Sequence, residues 1–199
     1  MNARISRDFL FFASIHHDDT FIVNKYDVTL SFDVTTENID YQNIAMDRVK
    51  YLFDICLDNC IFIDLHDLKA IDNYSKANMK VCPLPDEPYD QVIAAVIISK
   101  VNTITENYLF LNEVAIISRI CDDVCFYVSQ EEEADFQNLK DVWWTENSPS
   151  INMIKRSKKE KVVQLHKEPK DWNSVGLGWT APIRTKSNKG EIVFIPVDK

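Results

Sequence analysis

Apolar and polar residues alternate within residues 20–36, where Val28, Leu30, Phe32 and Val34 are interleaved with Thr29, Ser31 and Asp33. A period of two puts one set of side chains on each face, so the segment predicts a strand of an antiparallel sheet covered on one side. The apolar and aromatic residues 9–15 predict the strand before it, and the two form a hairpin; Asn38 and Asp40 stop the second strand. The period then changes. Ile44, Val49, Leu52, Phe53 and Cys56 recur close to every third or fourth position, and Asp40 or Asn43 can cap a first turn, which predicts an amphipathic helix over residues 42–57. Residues 58–84 are irregular or hold one short strand, residues 60–65. Pro85-Asp86-Glu87-Pro88 then sets an acidic cap and a proline before Tyr89, Val92, Ile93, Val96, Ile97, Val101 and Ile104, predicting a second helix that ends near Asn107. Residues 114–118 and 124–128 predict two short strands turned by Asp122-Asp123. The expected architecture is α+β, a four-stranded antiparallel sheet with two helices in the order strand, strand, helix, helix, strand, strand. Beyond Glu131 the pattern breaks up around Trp143-Trp144, Trp172 and Trp179 and closes on a strand-like run, residues 192–197.

Glycine usage narrows the chemistry. The three glycines, Gly176, Gly178 and Gly190, all lie near the C-terminus of the 199 residues, so turns in the preceding body must use Asn, Asp or Pro. A phosphate-cradling loop, a dinucleotide fingerprint and a glycine-flanked serine elbow all need glycine for a positive φ or close backbone approach. Nucleotide-dependent kinases and Rossmann dehydrogenases are therefore excluded. With 46% hydrophobic residues the chain can fill a core, yet no apolar run approaches the roughly 20 residues that span a bilayer. Arg4 and Arg7 before Phe9-Leu10-Phe11-Phe12 imitate a signal peptide, but His16-His17-Asp18-Asp19 stands where small residues would be cleaved, so a cytoplasmic protein with no membrane partner is expected.

Charge divides the chain in two. Residues 1–139 hold 10 Lys and Arg against 24 Asp and Glu, and residues 140–199 hold 12 against 7. The first part predicts an acidic α+β body, a poor surface for phosphate backbones, so nucleic acid is not an expected partner. The second predicts a basic, tryptophan-containing extension that docks on the body.

Two groupings carry candidate chemistry. Cys56 and Cys60, and Cys121 and Cys125, are spaced four apart, but they sit on a predicted helix face and in a predicted strand, which favours a core role over zinc. His16-His17-Asp18-Asp19 and Asp64-Leu65-His66-Asp67 combine imidazole and carboxylate, the ingredients of a metal site or an acid–base pair, or of a solvated loop.

Several short strings, with the order of elements, resemble the tunnelling-fold family, in its branch of 6-pyruvoyl- and 6-carboxy-tetrahydropterin synthases. Phe12-Ala13-Ser14-Ile15-His16 is similar to the family's first strand, Tyr26-Asp27-Val28-Thr29-Leu30 to its second, Ala45-Met46-Asp47-Arg48-Val49-Lys50 to the start of its first helix, and Leu57-Asp58-Asn59 to its Leu-Asp-His. Pro85-Asp86-Glu87 and the run from Asp122 to Tyr127 fall where the family places equivalents, so the resemblance spans about residues 9–130.

The family's chemistry uses a zinc held by three histidines, a proton relay and a pterin-anchoring glutamate. His16 matches the first zinc histidine, whereas the other two positions read Ile22 and Asn24, the relay histidine is Asn59, and the glutamate falls near Ser118-Arg119. The resemblance thus implies a catalytically degenerate homologue without metal or cofactor, assembled as a homo-oligomer through its sheet edges. It would bind a planar pterin- or purine-like heterocycle at a subunit interface through His16, Asn24, Tyr26, Asp58 and Arg119. The alternative is a non-enzymatic oligomeric scaffold or interaction protein carrying the basic arm.

Overall fold

The structure is a computed structural model and describes residues 3–130. Expectations for the extension over residues 140–199 lie outside the described residues. Strands β1 (Arg4–His17), β2 (Thr20–Val34), β3 (Cys60–Asp64), β4 (Val81–Leu84), β5 (Leu109–Ser118) and β6 (Cys125–Ser129) form one sheet in the order β4-β3-β1-β2-β5-β6. Helices α1 (Ile39–Tyr51), α2 (Leu68–Lys76) and α3 (Asp90–Thr105) are the α-helices among the described residues, and α1 runs on into a π-helical segment, Leu52–Leu57.

The four-stranded antiparallel sheet with two helices is thereby corrected to a mixed, open six-stranded sheet with three helices. The neighbouring pairs β1–β2, β2–β5 and β5–β6 are antiparallel, while β3 lies parallel to β1 and β4 parallel to β3. The physical reason lies in residues 58–84. Four of the five β3 residues are buried, so the strand shows no alternation. β4 has four residues with Pro83 among them, a residue tolerated because β4 is an edge strand. α2 buries none of its nine residues, and Asp67, whose side chain accepts from the Ala70 N–H, starts it.

The hairpin expectation holds element by element, with Arg4 opposite Asp33 at one end and His17 opposite Thr20 at the other. Alternate residues Phe9, Phe11, Ala13, Tyr26, Val28, Leu30 and Phe32 turn one sheet face inward against α1 and α3. Helix α3 is buried on nearly every side, from Val92 to Ile98 without a break and on to Ile104, so it fills the centre of the core. α2 lies on the opposite face, since Tyr74 meets His16, which follows the inward-packed Ile15 on β1. α1 is capped by Asn38, whose side chain accepts from the Asp40 N–H. Its π-helical continuation keeps Leu52, Phe53, Cys56 and Leu57 buried.

Turns without glycine use the residues that tolerate the left-handed region. Asp18, Asp19, Asn59, Asn78, Asn107 and Asp123 have φ between 47° and 59°, and among the described residues Glu106 is the one further non-glycine case. Asp18 and Asp19 both being left-handed makes the β1–β2 turn a two-residue loop whose twist matches the strands. Among the described residues no helix is long and apolar enough to cross a membrane.

Candidate functional site

Because β1, β3 and β4 run parallel, their carboxyl ends gather at one side of the sheet, the place where open sheets with parallel strands form ligand crevices. A cleft of about 300 Å³ lies there, lined by His16, His17, Asp18, Asp19, Asp64, Asp67 and Glu87 with Ile63 and Pro88. The two histidine–aspartate strings of the sequence thus meet. His16 Nε2 lies 3.3 Å from Asp67 Oδ2, and His16 Nδ1 lies 3.0 Å from the Tyr74 hydroxyl. A carboxylate only accepts, so in the neutral imidazole Nε2 carries the proton toward Asp67 and Nδ1 accepts from Tyr74. Asp67 serves twice, since its other oxygen caps α2, and the imidazole is held between the two ends of that helix.

His17, on the same strand end, sits between Asp18 Oδ2 at 3.4 Å and Glu87 Oε2 at 3.7 Å, and its side chain is one third exposed. Glu87 also accepts from the Tyr89 hydroxyl, while Asp64 Oδ1 accepts from the His66 N–H at 2.8 Å and lies 2.8 Å from its Nδ1. Tyr74 and Glu87 are the participants that sequence reasoning missed. Tyr74 belongs to the nine-residue α2, where Leu68, Ile71 and Tyr74 at a spacing of three were the signal that could have found it, and Glu87 looked like a helix cap.

A second polar group lies across Pro88, at the start of α3. Ser118 donates to Asp90 at 2.6 Å with both groups buried, and Asn24 and Tyr26 are fully buried beside them. Burial pushes the Asp90 carboxyl above its ordinary range, with the Ser118 hydroxyl opposing and Asp122 adding to the rise. A carboxyl whose native pKa exceeds its unfolded value favours folding below the unfolded value, and this contribution is lost as pH rises through the native one. Asp90→Asn is therefore expected to raise the urea midpoint at about pH 7 and change it little at about pH 4. A drop at about pH 7 would show that the ionised carboxylate stabilises the start of α3 more than its burial costs.

The residues singled out in the sequence do not form one pocket. His16 lines the acidic cleft, and Asn24 and Tyr26 adjoin Ser118. Arg119 is bound through Nε to Asp27 and through a terminal nitrogen to Asp123, both at 2.6 Å, at the turn after β5. Asp58 follows the π-helical segment, where it accepts from the Phe12 N–H at 3.1 Å and from the Asn59 amide at 2.7 Å, latching that turn to β1. Cys56, Cys60 and Cys82 are buried, whereas Cys121 is exposed. Desolvation raises the Cys56 thiol to about 11, so it behaves as a small apolar group. Among the described residues no three His, Cys, Asp or Glu side chains converge in a way that could hold a metal ion.

No family model matches the chain, and no curated protein matches it. Among solved structures, the uncharacterized protein WS1659 from Wolinella succinogenes is similar over 65% of this chain and 99% of its own, at 10% identity and a TM-score of 0.47. That likeness is too slight to carry an argument. The resemblance to the tunnelling-fold pterin synthases does not stand: the open mixed sheet, with two strands parallel to β1 beyond the hairpin and a third helix, is not that topology. The reading as a degenerate homologue binding a pterin- or purine-like heterocycle, with its scaffold alternative built on the same fold, falls with it. Its strings were short enough for unrelated strands to share.

Proposed function

We propose that this protein binds a small organic cation, a diamine or polyamine, in the cleft at the carboxyl ends of β1, β3 and β4. The observation that carries the reading is the lining itself: Asp18, Asp19, Asp64, Asp67 and Glu87 supply carboxylates, and no Lys or Arg lines the cleft. A negative field concentrated in a concave site attracts cations and raises their local concentration. Charge spread along an alkyl chain suits these separated carboxylates better than a metal ion does, since a metal requires several donors within about 2.6 Å of one point. His16, fixed by Asp67 and Tyr74, forms a rigid polar wall rather than a free base.

The test is calorimetric titration of the full chain with cadaverine at low and moderate salt. Binding is expected, weaker at higher salt, and reduced about tenfold by Asp64→Asn with Glu87→Gln, as for the loss of two partly screened charge contacts. Neutralising the exposed Asp47 and Asp54 on the α1 side removes the same charge and is expected to leave affinity nearly unchanged. Equal losses in the two double variants would reduce the effect to general attraction by an acidic surface and overturn the reading.

A further inference from the structure

We infer that the exposed half of β1 pairs edge to edge with β1 of a second copy of this chain, antiparallel about a two-fold axis through Ser6. β2 pairs with β1 over residues 4–17, but β3 covers the other side of β1 only from Ala13 to His16. The first part of the strand therefore stands clear. Residues 4–8 are all exposed, including Ile5 and Arg7, which share the parity of the core residues Phe9 and Phe11.

Phe12 shows which backbone groups face that open side. Its N–H donates to Asp58 Oδ1 at 3.1 Å and its carbonyl accepts from the Asn59 N–H at 2.6 Å, at the entry to β3 and so away from β2. The direction repeats at every second residue of a strand, so Arg4, Ser6, Asp8 and Leu10 turn their N–H and C=O groups the same way. Among the described residues no backbone group pairs with them there. An unpaired strand edge is a template for another strand, and sheets commonly blunt it. β4 is blunted by its four-residue length and Pro83, whereas this stretch of β1 holds no proline.

The order of charges selects the occupant. Facing backbone groups require even-numbered residues opposite even-numbered ones, which allows the two-fold to sit at Ser6, Arg7 or Asp8. Centring on Arg7 or on Asp8 sets like charges face to face. Centring on Ser6 sets Arg4 opposite Asp8 of the second copy, and the symmetry repeats that pair. The Arg4 side chain is 82% exposed and donates through Nε to Asp33, while Asp8 accepts from the Thr29 hydroxyl through Oδ1. The terminal nitrogens of the one and the second oxygen of the other are left for the new contact. Pairing over residues 4–8 stops short of Phe12, so the contacts that hold Asp58 and Asn59 to β1 need not break. An isologous pair of this kind closes on itself.

The experiment is sedimentation velocity of the full chain from about 1 to about 300 µM. A monomer is expected at the low end and twice its mass at the high end, with a dissociation constant of about 10–100 µM, as suits a short strand pairing. Ser6→Pro deletes an N–H that points away from β2. It is expected to weaken the dimer at least about tenfold while leaving the urea midpoint at about 1 µM unchanged. Residues directly opposite in a hydrogen-bonded pair have Cα atoms about 5.5 Å apart, within disulfide reach. Ser6→Cys is therefore expected to give a covalent dimer with oxidised glutathione, and Asp8→Cys is not, each compared with the parent chain because Cys121 is exposed. These two variants decide the matter if Ser6→Pro fails to fold. A monomer at every concentration, the result if another segment of the chain covers the edge, overturns the inference. So does a dimer that Ser6→Pro leaves as tight as before, or that Asp8→Cys links as readily as Ser6→Cys.

Discussion

Replacing Phe62 with alanine is expected to destabilise the protein by about 3–5 kcal/mol, measured by urea unfolding. The ring is fully buried, edge-on to Phe11 at 6.3 Å and to Tyr26 at 5.9 Å, so its removal opens a cavity among aromatic neighbours that cannot collapse into it. The loss reaches the acidic cleft. β3 is held to β1 over a short register, Ala13 opposite Cys60 to His16 opposite Ile63, and Phe62 is its large anchor in the main core. Because β3 ends at Asp64, cadaverine binding is expected to weaken in parallel with stability, while Phe62→Leu retains more volume and affects both less. A loss below about 1 kcal/mol would mean that β3 is secured by its outer face, through Ile61 and Ile63, and not by the aromatic cluster.

Arg48→Met is expected to cost about 2–3 kcal/mol, the range for losing charge-assisted hydrogen bonds from a buried site. Arg48 is 1% exposed; its guanidinium donates to the Ile104 carbonyl at 2.8 Å and to Glu106 Oε1 at 3.3 Å, tying α1 to the end of α3. That end needs a cation, since the last carbonyls of a helix have no partner within it and carry partial negative charge. Glu106 adds a demand of its own, standing at φ 51° in the left-handed region without the tolerance of Asn or Asp. Glu106→Gln keeps an acceptor for Arg48 and is expected to cost under 1 kcal/mol, roughly the value of a partly exposed ion pair. If the two variants were equally destabilised, the carboxylate and not the carbonyl contact would be what holds Arg48.

Both effects trace to interactions across long sequence separations, and the acidic cleft has the same origin. Asp67 comes to His16 only because β3 runs parallel to β1 and returns the chain to the same end of the sheet. Glu87 joins them because β4 repeats that direction. A parallel pair needs a crossover, here the helix α2, and that short element is what brings Tyr74 against His16.

How much the sequence determined follows from which forces are local. The β1–β2 hairpin, the helix that became α3 and the β5–β6 pair were legible because one buried face imposes a period of two or of 3.6 on the residues themselves. The absence of glycine from the body likewise dictated Asn and Asp at the left-handed turns, as Asp18, Asp19, Asn59 and Asn78 bear out. Only the tertiary structure decided the rest. β3 is buried on both sides and loses its alternation, α2 has only nine residues and buries none of them, and β4 is a four-residue edge that accommodates a proline. Those three elements change the sheet from antiparallel to mixed, and with it the residues that share a cleft. His16 and Asp67 each stood out in the sequence, but their 3.3 Å approach depends on strand direction, which is set by packing of the whole sheet and leaves no periodic trace in either segment.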